Sequence, residues 1–173
     1  MEVLSLFESL LEEPSIDKFL HMRKSLVSSK NYCPYSTEIN DMDTCVNTGD
    51  AQGAIDLFRS TLPNLLISPS AHFVLSAAYE CLGNKEQTDF EKHMWSFLVG
   101  AILETGKGTR QHPYLVSRIS DEYDVLFALE KERGKQELCP EEGRFIDVQT
   151  CSDGTQVYFD VTDPFLNQRW SVE

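Results

Sequence analysis

No stretch of this chain reaches the roughly 18 consecutive apolar residues that a membrane-spanning helix requires. Positive charge is scarce too: 15 Lys and Arg stand against 28 Asp and Glu, a formal net charge of −13. A nucleic-acid binder needs a positive stripe to displace counterions from phosphates, so that class is excluded. Docking on anionic lipid is disfavoured for the same reason. Cysteines are few, odd in number and scattered (Cys33, Cys45, Cys81, Cys139, Cys151), with no CxxC pair. That is the pattern of reduced thiols in a cytoplasmic protein, not of a disulfide scaffold. The start, Met1-Glu2-Val3-Leu4, carries no positive charge ahead of its apolar residues and no small-residue cleavage site, so it does not read as a secretory signal. His21, His72, His93 and His112 stand apart and form no HExxH or paired-His motif, so neither a metal nor a cofactor is expected.

What is present is enough apolar material for a core: 41% hydrophobic residues in 173, with ten Phe and two Trp. The most informative pattern is a self-match. Thr48-Gly49-Asp50, followed by Ala54 and Phe58, has Leu82-Gly83-Asn84 in the same register 34 positions later. That is the period of tetratricopeptide-type helical hairpins, in which a glycine breaks the chain between two packed helices. Such hairpins build surfaces that hold partners. Leu75, Tyr79 and Gly83 fit the pattern, whereas Thr88 stands where the first unit has the small Ala54.

Val3, Leu6, Phe7, Leu10 and Leu11 recur at helical spacing, and Pro14 ends that segment. Ser15 caps a second helix bearing Ile16, Phe19, Leu20, Leu26 and Val27. Further helices are expected over residues 37–47, 51–62, 70–81 and 87–103. Beyond residue 104 the character changes. Residues 114–119 read as a strand, and Ser120 opens a short helix that ends near Gly134. Residues 136–139 are a further candidate strand, and 145–150 and 156–161 flank the hairpin signal Ser152-Asp153-Gly154. The expected class is α+β. Antiparallel helical hairpins (1–104) pack with a small antiparallel sheet and one short helix (105–173), the two parts forming one cooperative unit.

Several stretches carry a resemblance that spans about residues 15–165. They are Phe19 through Arg23, the turn Tyr32-Cys33-Pro34-Tyr35, Ala71-His72, and Gly100-Ala101-Ile102-Leu103 running into the Gly106/Gly108 loop. Ser120-Asp121-Glu122-Tyr123-Asp124-Val125-Leu126 and Tyr158-Phe159-Asp160-Val161 complete them. In this order the chain resembles a bacterial family catalogued only as a domain of unknown function. The resemblance implies a fold and a set of positions, and no activity.

The loop Glu104-Thr105-Gly106-Lys107-Gly108-Thr109 invites comparison with a phosphate loop, but the spacing fails and it runs from helix to strand. Cys81 reads as core, and Cys33 has no evident base beside it. Asp121 and Glu122 suit a helix N-terminus. No catalytic residue is assigned. The candidate binding residues are Arg23, Tyr35, His72, Glu122 and Tyr123, with Arg23 paired to Glu122 and His72 brought near Glu122 or Asp124. The function expected is a non-enzymatic, adaptor or immunity-like interaction protein that binds a basic protein or peptide through an acidic helical surface. Tyr32, Tyr35, Tyr79 and Trp95 are its candidate contact residues. The alternative is a small-molecule binder or enzyme with a pocket at the helix–sheet junction, lined by His72, Arg23 and Tyr123.

Overall fold

The 34-residue self-match corresponds to two helical hairpins closed by the same turn. The computed structural model describes residues 2–167, so the last six positions of the C-terminal segment and Met1 lie outside the described residues. Helices α3 (Glu38–Asn47) and α4 (Ala51–Thr61) form one hairpin, α5 (Pro69–Cys81) and α6 (Lys85–Glu104) the next. In the first turn Gly49 N–H donates to Val46 O and Asp50 N–H to Cys45 O; in the second Gly83 donates to Glu80 O and Asn84 to Tyr79 O. Gly49 at φ 86° and Gly83 at φ 70° occupy the left-handed conformation that ends a helix in this way. Asp50 and Asn84 then cap the following helices, accepting from Gly53 N at 2.9 Å and Gln87 N at 3.2 Å.

Two more helices precede these hairpins, α1 (Glu2–Glu12) and α2 (Ile16–Val27), with Ser15 capping α2. Val3 and Leu10 turn inward from α1, whereas Leu4 and Leu11 stay exposed.

The remaining elements are β1 (Tyr114–Leu115), α7 (Ile119–Ala128), β2 (Lys135–Glu141), β3 (Arg144–Thr150), β4 (Gln156–Asp160) and α8 (Thr162–Leu166). The α+β class holds, and the 136–139 strand is present as part of β2. The sheet has the order β1-β4-β3-β2 and is mixed: the β2–β3–β4 meander is antiparallel, while β1 joins β4 in parallel. The parallel edge arises because the chain enters β1 from α6 and crosses through α7 before the meander begins. β1 is also shorter than expected, because residues 116–118 bond to side chains from elsewhere. α7 ends six residues before Gly134, with Glu130 at φ 55°. Gly134 immediately precedes β2, where a Cβ would lie 2.3 Å from Thr150 O. α8 is a second short helix in this segment, not foreseen from the sequence.

The larger core joins both parts of the chain. Phe19, Met22 and Leu26 of α2 and Leu98 and Ile102 of α6 cluster with Val125 and Leu126 of α7 and Val157 and Phe159 of β4. A second cluster, including Met42, Ala54, Ile55, Leu65 and Leu75, sits inside the α3–α5 layer. Each fully buried large apolar side chain contributes about 2 kcal/mol relative to exposure.

Candidate functional site

Helix α7 sits between the helical layer and the sheet, and its two sides carry different chemistry. Its entry is set by Asp121, whose Oδ2 accepts the N–H groups of Ser117 at 2.8 Å and Arg118 at 3.0 Å. Those amides would otherwise be orphaned as the chain turns from β1 into the helix. Burial pushes the Asp121 carboxyl up to about 7. Arg118, itself buried, donates to Cys33 O at 3.0 Å, to Asn64 O at 3.2 Å and to Asn64 Oδ1 at 2.6 Å. Burial lowers its pKa, and the Asp121 charge works against that. Tyr32 Oη donates to Ser117 O at 2.6 Å, and Arg23 donates to Val116 O at 2.6 Å and to Asp163 Oδ2 at 2.7 Å. The segment 116–118 is thus held by side chains from α2, the 31–36 turn and α7.

On the sheet side, Glu122 is 0% exposed. Gln149 donates to its Oε2 at 2.8 Å, and Gln136 donates to Asp147 Oδ2. Glu122 Oε1 and Asp147 Oδ1 have no protein donor among the described residues. A protonated Glu122 avoids placing a second negative charge beside Asp147 in this buried setting. Burial first, and then the Asp147 charge, push Glu122 up to about 9. Outside this pair lies a cleft of ≈ 380 Å³ lined by Tyr123, Glu132, Arg133, Gly134, Gln136 and Gln149. Arg133 lies over the Tyr123 ring at 4.1 Å from its centroid.

The side of α7 turned toward α5 and α6 is different. Asp124 accepts from Ser70 Oγ at 2.5 Å and from Trp95 Nε1 at 2.8 Å, tying α7 to the start of α5 and the middle of α6. Trp95 and Phe127 meet edge to face, centroids 5.8 Å apart. Phe127 is 73% exposed, and Phe73, one turn beyond Ser70 on α5, is 59% exposed. Tyr123 lies one turn from Phe127 on α7, and a Glu80–Lys92 pair at 3.6 Å spans α5 and α6.

The five sequence-derived candidates do not converge. Arg23 does not pair with Glu122; its guanidinium goes to Asp163 and a backbone carbonyl, because α8 places Asp163 beside α2. His72 bonds instead to Glu91, Nδ1 lying 2.6 Å from Oε2, while Nε2 donates to Leu66 O at 3.0 Å. Hairpin packing of α5 on α6 brings that glutamate opposite it. Glu122 and Tyr123 are neighbours in sequence but face different surroundings, and Tyr35 is exposed in its turn. Of the expected contact residues, Tyr32 is buried, whereas Trp95 reaches the surface in part.

Arg118, Asp147 and Gln149 escaped sequence reasoning. The one available signal was Asp147 and Gln149 alternating with Ile146 and Val148 along a strand, which reads as a solvent face until α7 covers it. Among the described residues, no group of three or more His, Cys, Asp or Glu is arranged to hold a metal ion. No helix there is long and apolar enough to cross a membrane.

Neither the curated proteins nor the solved structures contain a match to this chain. One family model matches residues 22–169, leaving α1 outside it. That coverage takes in α7, the sheet and both hairpins, and the chain belongs to the family described as a domain of unknown function (DUF4919).

Proposed function

We propose that this protein is a non-enzymatic interaction module, adaptor-like or immunity-like, that binds a basic protein or peptide through the outer face of α5, α6 and α7. The observation that carries this reading is the half-buried Trp95 on Asp124 with the exposed rings of Phe127 beside it and Phe73 one turn beyond Ser70, on a chain of net charge −13. Aromatic residues are enriched at interface hot spots, and opposite charge speeds encounter. The five free cysteines accord with a cytoplasmic setting. Mild crosslinking in native cells followed by purification tests the proposal. A stoichiometric basic partner held by the wild type and lost from a Phe73→Ala/Phe127→Ala variant supports it. A partner retained by that variant contradicts it.

A second reading is favoured by one feature, the buried Glu122 and Asp147 carboxyls behind the Tyr123–Arg133 cleft. It supports a small-molecule site at the helix–sheet junction. A metabolite retained by the wild type and released by Gln149→Leu would favour it over the interaction module.

A further inference from the structure

We infer that Asp124 and the rings around it form the seat for an arginine side chain of the partner, an assignment that rests on the binding reading above. Three donors already serve the Asp124 carboxylate: the Ser70 hydroxyl and backbone N–H, and the Trp95 indole N–H. These hydrogen bonds orient the carboxylate but leave its charge uncompensated. Among the described residues Asp124 forms no ion pair, and the nearby Lys92 is engaged with Glu80. A carboxylate oxygen can accept more than one hydrogen bond, so a donor arriving from outside can still be served. Burial disfavours the isolated negative charge, and a cation docked against it removes that penalty.

The rings select which cation. Trp95 bonds to Asp124 and meets Phe127 edge to face, so the 73%-exposed Phe127 ring offers a planar guanidinium at Asp124 a surface to stack on. Arginine stacks on aromatic faces while its fork reaches a carboxylate, which a compact ammonium does less well. The chain shows the same preference internally, with Arg133 lying on Tyr123 one turn away along the same helix from Phe127. Phe73, one turn beyond Ser70 on α5 and 59% exposed, has ring surface left to contribute.

The test uses the full chain with Trp170→Phe, so that tryptophan emission reports Trp95 alone. It is titrated with a capped hexa-arginine peptide, with capped hexa-lysine alongside at the same ionic strength. The expected result is a saturable change in emission, tighter for arginine than for lysine. Affinity should fall at least tenfold in Phe127→Ala, which alters no charge and removes an exposed ring. Asp124→Asn should lose it similarly, and circular dichroism would check that this variant still folds. Equal affinity in wild type and Phe127→Ala would mean diffuse attraction by the acidic surface and would overturn the seat, as would no saturable binding. The two proposals separate cleanly. A native partner lost from the Phe73→Ala/Phe127→Ala variant, together with a hexa-arginine peptide that does not bind, keeps the interaction reading and removes the arginine seat.

Discussion

At Glu122 a carboxyl with no exposure to solvent keeps its proton to a pH of about 9, while the same residue in the unfolded chain ionises near ~4.3. Between those values the folded state binds more protons than the unfolded one. Stability from this group is therefore complete below the unfolded value and is lost as pH rises toward 9, by at most about 1.4 kcal/mol per pH unit. Asp121, raised to about 7, acts in the same direction over a lower range. Glu122→Gln has no proton to lose, so its unfolding free energy should decline less steeply between pH 7.5 and 8.5 than that of the wild type. Urea titrations at the two pH values check this, and parallel slopes in both proteins would contradict the raised Glu122 carboxyl. Arg118 makes a second residue-scale case. Arg118→Ala removes the donor that Asn64 O accepts and weakens the bonding of Cys33 O, and should cost about 2 kcal/mol in urea unfolding. Arg118→Lys recovers little of this, because an ammonium cannot reproduce the fork.

At the scale of elements, the two hairpin turns make a quantitative prediction. Gly49 and Gly83 are both left-handed, and a Cβ at either would meet nothing within 4 Å. Gly49→Ala and Gly83→Ala should therefore each cost about 1 kcal/mol, from backbone strain alone, and the two costs should add. Unequal costs measured by chemical denaturation would show that the turns are not equivalent. These turns were legible in the sequence because glycine at a helix end and a 34-residue repeat are local signals. The Ser15 cap and the Ser152-Asp153-Gly154 hairpin were legible for the same reason. β1 was misread in length because Val116, Ser117 and Arg118 have strand-like composition, yet their backbone groups are claimed by Arg23, Tyr32 and Asp121. No local pattern reveals partners that lie 85 or 93 positions away in the chain. Of the candidate site, Glu122 and Tyr123 were visible as residues, but that one is buried against Gln149 while the other lines the cleft outside follows only from how the sheet packs there.

For the whole molecule, the larger core draws on α1, α2 and α6 together with α7 and β4. Neither segment completes that cluster without the other, so unfolding should be one transition, with tryptophan fluorescence and far-ultraviolet dichroism superimposing. Two separated transitions would show that the helical and sheet segments fold independently. The same organisation leaves Phe73 and Phe127 outside both core clusters, with Phe127 touching Trp95 edge to face. Phe73→Ala should shift stability by no more than about 0.5 kcal/mol, and Phe127→Ala by no more than about 1 kcal/mol. Losing a partner without losing stability is what separates a recognition surface from a structural one.

The most direct measurement places a photo-crosslinking amino acid at position 127 in the native cell, with position 166 as the control. Leu166 is 66% exposed but belongs to α8, outside the proposed face. The account predicts one discrete adduct from position 127, containing a basic protein, absent from position 166 and abolished by Asp124→Asn. No adduct from position 127, or the same adduct from both positions, would contradict it.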